Sequence, residues 1–287
     1  MPVSEKQIMK RHLKLTFITA ALIATGLILL AAGCQGEAEL SENNGLYRSR
    51  QVIDGDTIEL SSGQRVRYIG IDTPEIRKKE GEKWVYRPEV YGVEAKNRNA
   101  SLVSGKALKL EFDVEKEDRY GRYLAYVYSG DAMVNSLLVR EGFATVYTFP
   151  PNVKHYKELV MDQQEAFVLR RGLWGTLREI RPSQAHLHGG DFCLISGRIS
   201  GQDISSGKMY LYLASAEPDT LRLVIYLRNL PLFEAEGVDP FKDYKGREIE
   251  VFGKVNTEGS HPEVMVDNPF QIKVLQKPQS GAHGPDA

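Results

Sequence analysis

Apolar and polar positions alternate through "SRQVIDGDTIEL", "GQRVRYIGID" and "KALKLEFDVE", and this pattern predicts three β-strands. The "LSSGQR" between the first two is a turn signal. "IRKKEGEKWVYRPE" has no period and is expected to be a mobile loop. "VYGVEAKNRNASLVSG" has helical spacing, with Val93, Asn97 and Ala100 on one side and Gly105 as a stop. "RYLAYVYSGDAMVN" reads as a hairpin turning at Gly130-Asp131, and "VNSLLVREGFA" as a short helix ending at Gly142. "HYKELVMDQQEAFVLRRG" sets Leu159, Ala166, Val168 and Leu169 among charges, predicting an amphipathic helix that stops at Gly172.

A Pro/Gly-bearing stretch, "TLREIRPSQAHLHGG", interrupts the pattern and reads as a linker. His186 and His188 within it read as linker residues rather than metal ligands. Beyond it come "DFCLISGRIS", "KMYLYLAS" and "LRLVIYLR", a helix-like "LPLFEAEG", then "REIEVFGKV" and "PEVMVDNPFQIKVL". Three strands, a helix and two strands is the order of an OB-fold, a five-stranded Greek-key barrel. Its Tyr210, Tyr212 and Tyr226 suit either barrel core or base stacking, with core the commoner use of strand aromatics.

The amino terminus departs from both patterns. Lys6, Lys10, Arg11 and Lys14 precede the apolar run "LTFITAALIATGLILLAAG" and Cys34, which is the layout of an export signal. "LLAAGC" resembles a bacterial lipobox and implies cleavage before Cys34 and lipidation of its thiol, although Ala31 stands where Leu is preferred. An uncleaved membrane anchor is the alternative, since the run is about long enough to span a bilayer. Either outcome places the globular part outside the cytoplasm, anchored to the cell envelope. Cys193 is the only other cysteine, so a lipidated Cys34 leaves no disulfide, and Cys193 is expected to be a buried inert thiol. The 287 residues suffice for two domains, and a formal net charge of −1 does not mark the chain as a general polyanion binder. Charge is roughly +2 over residues 46–180 and roughly −3 over 191–277, a weak asymmetry.

Candidate chemistry gathers in the first half. Asp54 and Asp56 in "VIDGDTIEL" and Asp72 and Glu75 in "YIGIDTPE" put four acidic groups within some twenty residues. Motif by motif they read first as turn chemistry, Asp-Gly and Asp-Thr-Pro, and second as ligands of a hard divalent cation that wants oxygen. Arg67, five residues before Asp72, and Arg119 and Arg122 in "EDRYGRYLAY" add guanidinium forks that match a phosphate. For each arginine a solvated strand-end charge or a salt bridge to a nearby acid is the plain alternative.

Taken in order and spacing, "VIDGDTIEL", "RVRYIGIDTPE", "DRYGRYLAYVY", "MVNSLLVREGFA" and "PNVKHYKEL" resemble the staphylococcal nuclease (thermonuclease) family over about residues 48–178. The resemblance implies an OB-fold barrel with three helices and Ca²⁺-dependent hydrolysis of DNA and RNA to 3′-phosphorylated products. By position it implies that Asp56 and Asp72, with the Thr73 carbonyl, hold Ca²⁺ and that Glu75 activates or orients the attacking water. It implies that Arg67 and Arg122 grip the scissile phosphate and that Tyr120, Tyr147 and Arg119 line the substrate pocket. Asp54 is expected to serve mainly its turn. Phe149 stands for the family's second pocket tyrosine, Pro150-Pro151 for its Lys-Pro step, and Arg119 for a lysine.

The expected fold class is mainly β: a nuclease-like five-stranded barrel with three helices, then a second, smaller OB-like barrel. The expected organisation is a leader over 1–34, a polar tether over 35–47, the nuclease-like domain over 48–178, a linker over 179–190, the second barrel over 191–276 and a disordered tail over 277–287. The expected function is that of an exported, lipid-anchored nuclease with DNA and RNA as substrates and no obligate protein partner. A nucleic-acid receptor that does not cut and a structural envelope lipoprotein are the alternatives.

Overall fold

The computed structural model describes residues 45–214 and 221–275; the expected leader with Cys34, the tether up to residue 44 and the tail from 277 lie outside them. Among the described residues no helix is long and apolar enough to cross a membrane.

The first sheet follows from the alternation. β1 (Ser49–Val52) pairs antiparallel with β2 (Thr57–Leu60), and β2 with β3 (Arg65–Tyr68). β4 (Ile71–Asp72) leaves this sheet to pair with a later strand. The expected loop instead forms a hairpin of β5 (Arg77–Glu80) and β6 (Lys83–Tyr86), turning at Gly81 with φ of 61°. All eight strand residues are exposed, so there was no in–out contrast for the sequence to display.

α1 (Gly92–Val103) forms where the spacing predicts a helix and buries Ala95, Asn99, Leu102 and Val103, with Ala100 partly buried against the same core. Asn99 can face inward because it is satisfied there: its amide donates to the Asp54 carbonyl (3.1 Å) and its Oδ1 accepts from Tyr68 Oη (2.8 Å). β7 (Leu108–Glu117) pairs with β8 (Tyr123–Ser129), and β8 turns at Gly130-Asp131 into β9 (Ala132–Met133), as the sequence predicts. β8 lies parallel beside β3, which closes the sheet order β1-β2-β3-β8-β7 into a curled half-barrel.

α2 (Val134–Arg140) and α3 (Tyr156–Val168) cover the sheet, and β10 (Thr145–Val146) between them pairs with β4. α3 buries Tyr156, Leu159, Val160 and Ala166, whereas Val168 and Leu169 at its end are exposed, contrary to the amphipathic reading of those two positions. Ile58, Val66, Ile71, Leu108, Val127, Leu138 and Leu159 form the centre of the core.

The expected linker is itself structured. β11 (Arg178–Ile180) runs parallel beside β12 (Phe192–Ser205), and residues Pro182–Leu187 form a 3-10 helix. His188 pairs through Nδ1 with Asp191 (3.1 Å). β13 (Lys208–Leu213), β14 (Leu221–Tyr226), β15 (Glu248–Asn256), β16 (Glu263–Met265) and β17 (Ile272–Val274) complete a sheet that closes through β12–β15 pairing. α4 (Leu230–Glu234) and α5 (Pro240–Asp243) lie in the helical position of the OB order.

On β13, Met209, Leu211 and Leu213 enter this second core, while Tyr210 and Tyr212 point outward and are half-buried. The tyrosines are therefore not barrel core, and Arg222 lies over the Tyr210 ring at 5.3 Å. Cys193 is a buried free thiol as expected, its pKa pushed up to about 11 by burial. The two cores meet through aromatics: buried Trp174 packs against Phe167, Phe192 and Phe252, and Leu232 of α4 enters the first core.

Candidate active site

The turn before β2 begins the site. Asp54 Oδ1 accepts from the Asp56 backbone N–H (3.1 Å), an Asx turn, as expected of an Asp-Gly pair. Gly55 is pressed on Thr73, and a Cβ there would sit 2.6 Å from Thr73 Oγ1. Asp56 is buried, and its Oδ2 accepts from the Thr73 backbone N–H (2.8 Å) and hydroxyl (2.9 Å). Its Oδ1 accepts from Thr57 Oγ1 (3.1 Å) and pairs with Arg67 Nη1 (2.9 Å).

Arg67 reaches onward to Asp72: Nη2 lies 2.8 Å from Asp72 Oδ1, and Nη1 donates to the Ile71 carbonyl (2.9 Å). One guanidinium thus bridges two of the expected cation ligands. Asp72 is fixed by pairing of β4 with β10, where it stands opposite Thr145. Glu75 is held through its backbone: its N–H donates to Glu89 Oε2 (3.1 Å), its carbonyl accepts from Glu89 N–H (2.8 Å), and Gly92 of α1 packs against that carbonyl. Glu89 Oε1 in turn pairs with Lys254 of β15 at 2.5 Å.

The electrostatics record a surplus of negative charge. Burial, then Asp56, pushes the Asp54 carboxyl up to about 6. Burial likewise pushes Asp72 up to about 6 against the pull of Arg67. The Asp72 side chain is 52% exposed, so one edge reaches solvent while protein hems in the rest. Glu75 rises to about 7 through burial and the charges of Asp54, Asp56 and Asp72. Burial opposes the Arg67 charge, but these four carboxylates outweigh it and push its pKa up. The second barrel adds Asp267, raised to about 7 by burial and by Asp72.

An all-oxygen donor set with excess negative charge fits a hard dication such as Ca²⁺ rather than a thiol- or imidazole-seeking metal. Among the described residues, no three His, Cys, Asp or Glu side chains converge as a ready-made cage. The fit therefore lies in charge and donor type.

The structure brings Arg67, Asp54, Asp56, Asp72, Thr73 and Glu75 together. Arg122 stands on the turn between β7 and β8, where its Nε pairs with Asp118 Oδ2 (2.7 Å). Arg119 and Tyr120 share that turn, with Arg119 Nη2 donating to Tyr120 Oη (2.6 Å) and the Tyr120 ring 68% exposed. Tyr147 is anchored beside the site by its N–H donating to the Gly70 carbonyl (2.9 Å), with Phe149 ring-to-ring at 6.2 Å. Sequence reasoning missed Glu89, Lys254 and Asp267. Glu89 sat in the patternless stretch, and the other two belong to the second barrel, so no local signal could have connected them to the site.

Residues 65–176 match the family described as staphylococcal nuclease homologue. The chain is 34% identical over 165 residues to a thermonuclease of Staphylococcus hyicus, covering 56% of this chain and 95% of that protein. It is 38% identical over 131 residues to a thermonuclease of Staphylococcus intermedius, covering 45% of this chain and 75% of that protein. It is 40% identical over 129 residues to endonuclease YncB of Bacillus subtilis (strain 168), covering 43% of this chain and 59% of that protein.

Proposed function

The chain belongs to the staphylococcal nuclease family and is a phosphodiester-hydrolysing endonuclease; from that premise we propose Ca²⁺-dependent cutting of DNA and RNA outside the cytoplasm. The observation that carries this reading is the set of carboxylates gathered on Arg67, three of them with raised pKa. In this reading Asp56, Asp72 and the Thr73 carbonyl would hold Ca²⁺, which when bound would polarise the scissile phosphoryl group and offset its charge.

Glu75 is the base that takes the proton of the attacking water. Burial and the neighbouring carboxylates raise the Glu75 pKa, and a bound dication would offset those charges and keep the base ionised near neutral pH. Arg67 exchanges part of its carboxylate pairing for phosphate oxygens, and Arg122 joins it by leaving Asp118. Their fixed positive charge stabilises the charge that builds on those oxygens. Tyr120, Tyr147 and Arg119 bound the nucleotide pocket. Attack by water with departure of the 5′-oxygen leaves a 3′-phosphate. Lipidation at Cys34 keeps the enzyme on the envelope.

The test incubates the protein with single- and double-stranded DNA and RNA in millimolar Ca²⁺ or in chelator. Cutting should require Ca²⁺, leave 3′-phosphate ends and pellet with membranes. Glu75→Gln and Arg122→Ala should each lower turnover by at least on the order of 10², the scale of losing one charge-stabilising group. Near-normal turnover in both would show these residues are not the machinery.

A further inference from the structure

The second barrel reaches the nucleotide pocket with a cation. Arg228 follows β14 directly, in the 3-10 turn Leu227–Asn229. Its guanidinium carbon lies 3.5 Å from the centre of the Phe149 ring and 4.2 Å from that of Tyr226. The group thus lies within cation–π distance of one aromatic of the nuclease domain and one of the second barrel. Its backbone is fixed on both sides: Tyr226 ends β14, Asn229 is buried, and Leu232 is seated in the first core.

Three observations say what such a group can do. Arg228 is exposed, and it makes no ion pair with a carboxylate among the described residues. Held against these rings, the guanidinium makes no hydrogen bond among the described residues, and its planar N–H fork matches a phosphate bidentately. The place is also right. Thr145 stands opposite Asp72, Tyr147 donates to Gly70, and Phe149 lies two residues further along the same segment. The charges of both Asp72 and Arg228 are felt at Tyr147.

The same contact changes the expected use of Phe149. The resemblance gives it a ring for stacking on substrate, but here a guanidinium covers one face. We infer that Arg228 is a substrate-binding residue contributed by the second barrel, gripping a phosphodiester of the nucleic-acid strand next to the nucleotide pocket. This rests on the nuclease reading and extends it: the strand runs across the junction between the barrels, so the second barrel is part of the substrate site.

The experiment compares the full chain, in mild detergent, with Arg228→Ala and Arg228→Lys. It measures kcat/KM for a single-stranded DNA across 50–200 mM salt, binding of a labelled strand by anisotropy in chelator, and Tm. Arg228→Ala should raise KM about tenfold, the scale of one lost charged hydrogen bond. It should also make the log–log salt dependence shallower by about 0.7, one phosphate contact on a single strand. Arg228→Lys, still cationic, should retain the steeper slope. An unchanged slope in Arg228→Ala overturns the inference, and if Tm falls at the same time, Arg228 is only a latch between the barrels. Failure of the nuclease reading looks different: the parent chain would not cut in Ca²⁺, while anisotropy would still report whether Arg228 touches the strand.

Discussion

Gly92→Ala tests how tightly the backbone of Glu75 is held. A Cβ at Gly92 would lie 2.8 Å from the Glu75 carbonyl oxygen and 3.1 Å from that of Pro74. Ordinary contact begins near 3.4 Å, so the methyl must push the Pro74–Glu75 backbone or α1 aside by about 0.6 Å. Neither can yield freely, because Glu75 N–H and carbonyl are both bonded to Glu89 and α1 is pinned by Asn99. A misplacement of about 1 Å at a reacting group costs on the order of 10² in rate, so about half that displacement should lower kcat roughly tenfold. Stability should change little by comparison. Overpacking costs about 1–3 kcal/mol, and alanine's helix preference returns up to about 1 kcal/mol. Single-turnover cleavage and Tm should be measured beside Asn97→Ala, an exposed change in the same helix. A kcat within twofold of the parent in Gly92→Ala would refute the claim that this contact sets the position of Glu75.

Lys254→Met should lower kcat/KM about threefold to tenfold, because it frees Glu89, whose other oxygen accepts from Glu75 N–H; steady-state kinetics equal to the parent would sever that chain of contacts. Glu111 tests pH dependence away from the site. Lys154, with help from Tyr128 and His155, holds its carboxyl down at about 2. A depressed carboxylate stabilises the fold above its unfolded pKa, and that contribution is lost as pH falls from about 4.5 towards about 2. Glu111→Gln should therefore be less stable than the parent at pH 6 by no more than about 1 kcal/mol, as befits a partly exposed pair. The two melting curves should converge by about pH 2, and a gap that widens with acid would reverse the assigned sign.

Much of the fold was legible because its signals are local. Period-2 alternation gave β2, β3 and β13, and Gly130 and Gly142 marked the hairpin and the end of α2 where expected. The failures have equally definite causes. α1 turned its polar Asn99 inward because Tyr68 and the Asp54 carbonyl satisfy it, and spacing cannot weigh such a partner 31 or 45 residues away. β5 and β6 are exposed throughout and so carry no alternation. Val168 and Leu169 are apolar at the end of α3, where no surface faces them.

The site divides in the same way. Asp54, Asp56, Arg67, Asp72 and Glu75 lie close together in the sequence, from the turn before β2 to just past β4, so order and spacing suffice to gather them. What the second barrel adds is invisible at that range, since Lys254 meets Glu89 across 165 residues. Its additions are also of mixed sign. Lys254 eases ionisation of Asp72, whereas Asp267 adds a buried carboxyl whose ionisation Asp72 opposes. The slight negative charge of residues 191–277 therefore says little about their place beside a polyanion. What matters is where the charges project: Lys254 onto Glu89, and Arg228 against Phe149 and Tyr226 at the junction. A domain of unfavourable net charge can still extend a phosphate-binding surface when its cations are concentrated at the junction and buried aromatics such as Trp174 hold that junction in register.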